Sequence, residues 1–296
     1  MNPPAWLIDS SIYIFKAWYT CSDIDDINGN PVNAVHGFLD FVYRLLASEQ
    51  PQRIAFAFDE SLKTSHRKKI YPEYKANRPP APESLHRQFQ YCRRFLKAFG
   101  IYEDASPLYE ADDLIGSWAA RLRAEHIPVN IITADKDLAQ LIHQGDYWWE
   151  YERGQKLDSK AILKKFKVKP QQIADQLAIA GDKSDNIPGV PGVGMSTAAK
   201  LLRRFDTIDN MLSHIPEISS MQIRGASRIQ QLITDHQDTI RLARQLTGIV
   251  CDIETTPAGY FEISRLNQPA LEELFIQLRI SAEQQKKWLE LHACLF

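Results

Sequence analysis

The stretch "VNIITAD", residues 129 to 135, is a short apolar run that ends in an aspartate, and it indicates the fold class. Two other runs have the same form: "AWLID" (5 to 9) and "RIAFAFD" (53 to 59). Continuous apolar runs of this length are typical of strands buried on both faces, as in a parallel sheet. We therefore predict three buried strands, followed or ended by Asp9, Asp59 and Asp135.

Longer amphipathic segments lie between these runs. They are "NAVHGFLDFVYRLL" (33 to 46), "LHRQFQYCRRFLKAF" (85 to 99) and "DDLIGSWAARLRAEH" (112 to 126), with apolar residues three and four positions apart. Such segments suit crossover helices over a parallel sheet. The sequence thus predicts an α/β fold with a parallel or mostly parallel central sheet flanked by helices, and we assign residues 1–180 to this core.

From about residue 157 the pattern becomes mostly helical, with turns that contain proline and glycine. The helical segments are "SKAILKKF", "PQQIADQLAIAG", "STAAKLLRRF" and "ASRIQQLITDHQDTIRLARQL". We expect residues 181–250 to form a helical region. For residues 251–296 we expect an extended strand and then an amphipathic helix that packs back on the core.

Composition and charge limit the possible functions. The chain has 296 residues, 44% of them hydrophobic, and a formal net charge of −2. Affinity for nucleic acid must therefore come from local clusters of lysine and arginine. The cysteines lack zinc-site spacing, and no secretory signal or membrane-length apolar run is present, so we expect a cytoplasmic protein without disulfides or a membrane partner. These cysteines are Cys21, Cys92, Cys251 and Cys294.

Acidic residues cluster near the predicted strand ends and in two other motifs, "YEADDLIG" (109 to 116) and "GDKSDNIPG". The carboxyl ends of parallel strands line the crevice where ligands bind, so we expect the acids to converge there. Taken singly, each acid is more often a helix cap or a turn residue. Together there are nine candidates: Asp9, Asp59, Glu110, Asp112, Asp113, Asp135, Asp137, Asp182 and Asp185.

Capping alone does not account for so many acids in one place. Two carboxylates about 4 Å apart repel by roughly 4 kcal/mol at an effective dielectric near 20, whereas a cap contributes about 1 kcal/mol. A set of oxygen ligands without histidine or cysteine favours Mg²⁺ or Mn²⁺. More carboxylates than one ion needs suggests two or more ions, an arrangement that serves displacement at phosphate esters.

Residues 63 to 82, "KTSHRKKIYPEYKANRPPAP", form a basic segment with six basic residues, one acid and four prolines. Lysine and arginine interleaved with tyrosine suit single-stranded nucleic acid. A basic run is ordinarily a solvated surface, but this one directly follows the strand that ends at Asp59. We expect it to be poorly ordered alone and helical when DNA is bound.

A second candidate for phosphate binding is "IPGVPGVGMSTAAKLLRRF" (187 to 205). Its glycines allow a close approach of the backbone to phosphate, and the following helix start offers free N–H groups. The pattern is that of a helix-hairpin-helix, with Gly189, Gly192, Gly194, Lys200 and Arg203 as candidate DNA contacts. No phosphate loop of the G-x-x-x-x-G-K-[ST] type is present in the sequence, so we expect no nucleotide cofactor.

Six motifs in order give the chain a family resemblance: "LIDSS", "AFAFDE", "YPEYKANRPPAP", "YEADDLIG", "ITADKDLAQL" and "GDKSDNIPGVPGVG". The chain resembles the 5′ nucleases, namely flap endonucleases and the 5′-3′ exonuclease domain of bacterial DNA polymerase I. The resemblance implies a nuclease that cuts DNA near 5′ flaps, nicks or free 5′ ends, with RNA primers as a further substrate class. We expect a stand-alone or partner-dependent enzyme and a monomer.

The resemblance also implies roles for individual residues. All nine acids match the metal-binding carboxylates of the family, with Asp182 and Asp185 serving a more weakly held ion and Asp135 and Asp137 counted among the catalytic residues. Residues 63–99 match the arch segment, where Lys75 matches the catalytic lysine, Arg78 a basic partner, and Tyr74 and Arg67 residues that guide the 5′ strand. The helix-hairpin-helix would grip duplex DNA and can hold K⁺ in similar proteins.

Two positions depart from the family pattern near the predicted site. Phe15 and Lys16 stand where the family usually has tyrosine and arginine. Lysine keeps the charge but lacks the bidentate guanidinium fork, so the sequence leaves open how strongly Lys16 engages the phosphate.

Two other functions fit part of the sequence. A catalytically weak protein of the same fold that binds DNA junctions is the alternative, although no metal carboxylate is missing. A phosphatase of the haloacid dehalogenase type would need a second acid two residues after Asp9, where Ser11 stands. The sequence leaves open the balance between exonuclease and flap cutting, the number of metals and the protein partners.

Overall fold

The computed structural model describes residues 2–60, 64–254 and 261–296. It divides into two compact units. Unit 1 comprises Met1–Glu60, Pro80–Ala134 and Cys251–Phe296, and unit 2 comprises Ser61–Pro79 and Asp135–Val250. Unit 2 ends at Val250, where the predicted helical region also ends, but it begins at Asp135 and includes residues 64–79, which we predicted to lie in the core of residues 1–180.

The helices are numbered along the whole chain. They are α1 Ser10–Thr20, α2 Asn33–Glu49, α3 His66–Ile70, α4 Glu83–Phe99, α5 Ala111–Ala124, α6 Ser159–Phe166, α7 Ile173–Ala180, α8 Met195–Phe205, α9 Ile208–Ser213, α10 Ala226–Asp235, α11 Gln237–Thr247, α12 Gln268–Gln277 and α13 Ala282–Leu295. Short 3-10 turns cover Asp137–Leu141, Tyr151–Arg153, Pro170–Gln172 and Ile215–Ser220.

Unit 1 contains a parallel sheet with the strand order β3-β2-β1-β4. The strands are β1 Ala5–Asp9, β2 Arg53–Asp59, β3 Tyr102–Ser106 and β4 Val129–Ile132. The three predicted strands are confirmed, and every residue of β1 and β4 is buried, as their unbroken apolar sequences indicate. The predicted α/β fold with a parallel central sheet is therefore correct.

Three features of unit 1 were not predicted. Strand β3 has the polar sequence "YEDAS" and lies at a sheet edge, where only Glu103 is buried. Arg93 and Lys97 of α4 form ion pairs with Glu103, which offsets the burial of its charge. Helix α1 begins directly after Asp9, and β4 ends at Ile132, three residues before Asp135.

The C-terminal part of the chain belongs to unit 1, where α12 contacts α4 and α13 contacts α2. The predicted strand after residue 251 is absent from the described residues 251–254 and 261–267. Glu262 instead forms one isolated antiparallel bridge with Arg53. Arg53 is available because β3 begins to pair with β2 only at Ala55.

Unit 2 combines an antiparallel hairpin with helices. The hairpin strands are β5 Tyr147–Glu150 and β6 Gln155–Leu157. Helix α7 packs against α8 and against α11, and the predicted single helical segment from 226 to 246 is two helices, α10 and α11. Within the described residues, no helix has the length and apolar character needed to cross a membrane.

Candidate active site

Asp9 and Asp59 end the first two strands of unit 1. Asp9 is buried and stands at the cap position of α1, yet its side chain makes no capping hydrogen bond. Its Oδ2 instead accepts a hydrogen bond of 2.9 Å from Thr133. Asp59 accepts hydrogen bonds of 2.9 Å from the Ser11 hydroxyl and from the amide of Ala111 at the start of α5. Neighbouring polar groups thus orient both carboxylates.

Glu110, Asp112 and Asp113 stand at the start of α5. Glu110 and Asp113 are buried, and Asp112 is half-buried. The carboxylate of Asp113 accepts the amide hydrogen of Glu110 at 3.1 Å, which is a capping interaction. The cap explanation therefore applies to Asp113, and the helix start favours its negative charge.

Asp135 and Asp137 follow β4 in the chain but belong to unit 2. Asp135 Oδ1 accepts the amide hydrogen of Asp137 at 2.9 Å, which fixes the turn between them. The carbonyl oxygen of Asp135 accepts a 2.8 Å hydrogen bond from the indole of Trp148 on β5. Two hydrogen bonds within unit 2 therefore fix the turn at Asp135.

Asp182 and Asp185 lie in a tight loop after α7. The amide of Ile187 donates to the Asp182 carbonyl at 2.8 Å, and the amide of Asp182 donates to the Ile187 carbonyl at 3.0 Å. Asp182 Oδ1 accepts the Ser184 amide hydrogen at 2.7 Å, and its Oδ2 lies 2.7 Å from Lys136 Nζ. Both carboxylates are buried, so this loop holds two negative charges in fixed positions.

Asp185 receives three groups from the basic segment. Its Oδ2 accepts a 3.2 Å hydrogen bond from the Tyr74 hydroxyl and lies 3.7 Å from Lys75 Nζ, while its Oδ1 pairs with the Arg78 guanidinium. The Lys75 amide also donates to the Asp185 carbonyl at 2.8 Å. The basic segment is thus joined to the loop by side-chain and backbone bonds.

The pKa values of the acidic residues and of Lys136 in unit 2 are shifted because charged groups lie close together there. Burial raises the pKa of Asp137 to about 7, and repulsion from Asp135 adds to the rise. Burial also raises the pKa of Asp135, with a contribution from Asp185. For Asp182, burial opposes ionisation, but the Lys136 ammonium and the Ser184 hydrogen bonds outweigh it and lower the pKa. Burial would lower the pKa of Lys136, but Asp137 and Asp182 together raise it.

The donor set fits a hard divalent cation, because every candidate is a carboxylate. Asp137 Oδ1 is buried, accepts no hydrogen bond from the described residues, and lies 3.7 Å from Lys136 Nζ. A cation would satisfy this oxygen. Across residues 2–60, 64–254 and 261–296, however, no three His, Cys, Asp or Glu side chains are already grouped to hold a metal ion. Lys136, Lys75 and Arg78 balance the charges of unit 2 instead.

The predicted helix-hairpin-helix corresponds to α7, the loop 181–194 and α8. Gly189 packs against the backbone of Ala180 and Gly181, and a Cβ at Gly189 would lie 2.2 Å from the Gly181 nitrogen. Gly192 has a φ of +80°, in the left-handed region. Gly194 caps α8, and a Cβ there would meet nothing within 4 Å, so the helix start is open. Lys200 and Arg203 are exposed on α8.

Two predicted DNA contacts need correction. Arg67 is buried, and its guanidinium donates hydrogen bonds of 2.9 Å to the carbonyl oxygens of Leu246 and Gly248. Tyr74 is also buried, with its hydroxyl on Asp185. Neither side chain is on the surface in this structure, because each satisfies a buried acceptor. Lys16 is exposed on α1, as a phosphate contact requires.

The basic segment also differs from the prediction of poor order without DNA. His66–Ile70 is helical, and the Asn186 side chain donates to the Glu73 carbonyl at 2.7 Å. The pattern of prolines and charges concealed these contacts, since their partners are more than a hundred residues away in the chain. Lys63 lies outside the described residues.

Several residues of the site were not predicted from the sequence. Lys136 stands between Asp135 and Asp137 in "TADKDL", and its position among carboxylates is the one signal that could have indicated an ion pair. Ser11, Thr133 and Trp148 hold the carboxylates or their backbone through contacts distant in sequence. Nothing in the local pattern of these three residues distinguishes them from ordinary core residues.

Comparison with protein families gives two adjoining matches. Residues 4–167 match the model described as 5′-3′ exonuclease, N-terminal resolvase-like domain, and residues 168–268 match 5′-3′ exonuclease, C-terminal SAM fold. A 5′-3′ exonuclease of Buchnera aphidicola subsp. Acyrthosiphon pisum (strain APS) is 33% identical over 85% of this chain and 88% of its own length. A 5′-3′ exonuclease of Aquifex aeolicus (strain VF5) is 35% identical over 78% of this chain and 82% of its own length.

A longer relative matches over part of its length. DNA polymerase I of Bacillus caldotenax is 36% identical over 82% of this chain, which spans only 27% of that polymerase. Among solved structures, T5 5′-exonuclease with bound zinc has a TM-score of 0.65 at 17% identity and covers 99% of this chain and 98% of its own. The catalytic core of Rad2 with DNA substrate also has a TM-score of 0.65 at 17% identity, over 100% of this chain and 93% of its own. These two structures support the fold.

Proposed function

Because the chain belongs to the 5′-3′ exonuclease family, we propose that it is a divalent-metal-dependent nuclease that cuts DNA near junctions of single and double strands. Its substrates would be 5′ flaps, nicks and free 5′ ends, with RNA primers as a further class. Similar solved structures support this: one contains zinc and another contains a DNA substrate. We further propose that the enzyme acts as a monomer.

One observation carries the proposal: unit 2 holds two buried carboxylates, Asp182 and Asp185, and two half-buried ones, Asp135 and Asp137, together with the cations that balance them. Like charges with so little access to water destabilise a fold unless something offsets them. A phosphodiesterase needs such a site, because divalent ions, when bound, supply the positive charge that activates water and stabilises the leaving oxygen.

We assign the metal ligands on the preference of Mg²⁺ and Mn²⁺ for carboxylate oxygens. Asp135, Asp137, Asp182 and Asp185 would hold Mg²⁺ or Mn²⁺ in unit 2, and Asp9, Asp59, Glu110, Asp112 and Asp113 are the candidates in unit 1. Asp113 also caps α5, so its carboxylate has a structural function beside any binding function. We propose two or more ions, and K⁺ at the helix-hairpin-helix.

Lys75 and Arg78 would act on the substrate itself. Both carry positive charge beside Asp185, and a phosphate group that approached this carboxylate would compete for them. Once Lys75 and Arg78 pair with the phosphate, they would stabilise the negative charge that develops on it as the bond breaks. The ion pairs with Asp185 would then be replaced, which frees that carboxylate for a metal ion.

The exposed groups of the helix-hairpin-helix would grip the duplex. Gly192 and Gly194 leave the backbone open at the start of α8, where N–H groups favour phosphate. Lys200 and Arg203 add positive charge on the same helix. These contacts fix position without reading base sequence.

A substrate panel tests the proposal. Labelled 5′-flap, nicked, gapped and single-stranded DNA are incubated with the protein in Mg²⁺, in Mn²⁺ and in EDTA at equal salt. We expect cleavage only with metal, and product lengths that locate the cut near the junction. Asp135→Asn should bind the flap substrate normally and cleave it at least a hundredfold more slowly, because the site loses a ligand charge.

The alternative function, a protein of this fold that binds DNA junctions without cutting them, predicts a different result. The parent protein would then bind the flap but leave it intact in Mg²⁺ and in Mn²⁺. Asp209→Asn, at an exposed carboxylate on α9, is the matched control and should cleave like the parent. Parent-like cleavage by Asp135→Asn would contradict the assignment of the site.

A further inference from the structure

The β5–β6 hairpin of unit 2 carries a group of aromatic rings outside all the residues assigned above. Tyr147 and Trp149 alternate along β5 and therefore share one face of it. Tyr151 follows, and its ring centroid lies 5.1 Å from that of Trp149. Tyr147 is 37% exposed, and Trp149 and Tyr151 are half-buried. A contiguous group of solvent-accessible rings is a candidate interaction site.

Lys156 adds a charge to this face. It stands opposite Trp149 in the hairpin register. Its Nζ lies 4.5 Å from the ring centroid of Tyr147 and 4.2 Å from that of Trp149. The hairpin platform, defined as Tyr147, Trp149, Tyr151 and Lys156, thus combines ring faces with an exposed cation.

The opposite face of the same strand holds the platform in place. Trp148 is buried, and its indole donates a 2.8 Å hydrogen bond to the carbonyl of Asp135. Lys165 of α6 lies 5.0 Å from the Trp148 ring centroid. The platform is therefore fixed to the chain segment that carries one of the proposed catalytic carboxylates.

The charge of the surrounding segment narrows the choice of ligand. Residues 147–169 contain seven basic and three acidic side chains, in a chain whose net charge is −2. A positive surface with exposed rings complements a strand of unpaired nucleic acid, which offers phosphate charge and base faces together. An apolar protein partner would not require the excess of lysine.

We propose that the hairpin platform binds an unpaired strand of nucleic acid: Lys156 moves from the ring faces of Tyr147 and Trp149 to a phosphate, and bases stack on the two rings. The site is separate in sequence from the basic segment, residues 63 to 82, and from the helix-hairpin-helix. The proposal rests on the proposed function in one respect, namely that nucleic acid is the ligand. Its consequence is a third contact surface, specific for unpaired strands.

Binding of a labelled oligothymidine to the full-length protein in EDTA tests the inference by fluorescence anisotropy. Trp149→Ala should weaken binding roughly five- to hundredfold, the range for loss of one stacked base. Trp149→Phe keeps a ring and should bind like the parent. Tyr19→Ala, at a tyrosine 79% exposed in unit 1, is the control and should leave binding unchanged.

Lys156→Gln provides a second measurement that does not depend on packing of the indole. It should reduce the slope of log binding constant against log salt by about 0.7, the value for one phosphate contact on a single strand. If Trp149→Ala proves unfolded by circular dichroism, this slope decides the question. An unchanged slope would overturn the inference.

Cleavage of a nicked duplex in Mg²⁺ separates this inference from the proposed function. If the parent cleaves the nick while the platform variants bind oligothymidine like the parent, the inference fails and the proposed function stands. If the variants lose oligothymidine binding but the parent cleaves no substrate, the inference stands and the proposed function fails. We expect all variants to cleave the nicked duplex at the parent's rate.

Discussion

Asp137 is half-buried, and burial together with close negative neighbours raises its pKa to about 7, which makes it sensitive to pH. A raised pKa means that the folded protein holds this proton more tightly than the unfolded chain, whose value is near 3.8. The resulting stabilisation is fully present below the unfolded value and is lost as the pH rises through about 7. At about 1.36 kcal/mol per pKa unit it amounts to at most about 4 kcal/mol.

This dependence can be measured on the metal-free protein. Between pH 5 and pH 8 the parent should lose free energy of unfolding that Asp137→Asn retains, since the amide does not ionise. Urea denaturation at both pH values, with EDTA present, gives the difference between the two proteins. Asp209→Asn should show the same pH dependence as the parent, and a parallel loss in Asp137→Asn would contradict the explanation.

Arg67 should prove structural. Its guanidinium is buried and donates to two carbonyl oxygens, so Arg67→Ala should lower the free energy of unfolding by about 3 kcal/mol. Lys69, exposed on the same helix, is the control, and Lys69→Ala should change stability by less than about 0.5 kcal/mol. Thermal denaturation of both variants checks this. A stable Arg67→Ala protein with weakened DNA binding would instead support the prediction that Arg67 guides the 5′ strand.

The sequence indicates the candidate acids but not the groups that surround them. Strand ends and motifs indicate Asp9, Asp59 and Asp135, because the position of a carboxylate after a buried strand is a local property. The hydrogen bond between Tyr74 and Asp185 joins residues 111 positions apart, so no local pattern predicts it. A basic residue that the sequence pattern predicts to be exposed can instead be a buried hydrogen-bond donor, as Arg67 is.

The helix-hairpin-helix depends on one close backbone contact. A methyl group at Gly189 would lie 2.2 Å from the Gly181 nitrogen and 2.3 Å from the Ala180 carbonyl carbon, so α7 and the loop would have to separate. We expect Gly189→Ala to destabilise the protein by about 2 kcal/mol or more and to weaken duplex binding. Gly194→Ala is the matched control for stability, because its Cβ would meet nothing within 4 Å. Thermal denaturation of both variants tests the packing argument, which an equal loss of stability would contradict. Duplex anisotropy of Gly189→Ala measures the effect on binding.

Element types could be predicted better than their ends. Apolar runs gave β1, β2 and β4 because burial on both faces leaves an unbroken apolar sequence. Strand β3 was missed because its edge position permits polar residues, and Glu103 is neutralised by α4. The break between α10 and α11 at His236 has no glycine or proline to mark it.

For the whole molecule, a metal ion should act as a stabilising ligand. The described residues contain no group of side chains already placed to hold a metal ion. Lysine and arginine side chains such as Lys136 already neutralise part of the carboxylate charge. Metal binding must therefore rearrange the site. A ligand that binds only the folded state at a hundred times its dissociation constant adds about 2.7 kcal/mol. We expect Mg²⁺ or Mn²⁺ to raise the melting temperature of the parent in a concentration-dependent way.

Differential scanning calorimetry with and without Mn²⁺ measures this shift. Asp137→Asn should show a reduced shift, while Asp209→Asn should match the parent. An equal rise in all three proteins would indicate general ion effects and not a site.

The division of the whole chain was the least predictable feature. The sequence indicated a sheet-containing core at residues 1–180 and then a helical region, whereas unit 2 already begins at Asp135. It gave no sign that residues 64–79 join the later helices, because the bonds of Lys75, Arg78 and Asn186 link segments more than a hundred residues apart.

Unit 1 is assembled from three separate stretches, and its last stretch includes α12 and α13, which pack on α4 and α2. During synthesis on the ribosome, the parallel sheet therefore emerges long before the helices that cover part of its flanking layer. Unit 1 is therefore incomplete until these late segments have been synthesised, and a chain cut short before α12 would leave exposed the surfaces of α4 and α2 that α12 and α13 cover.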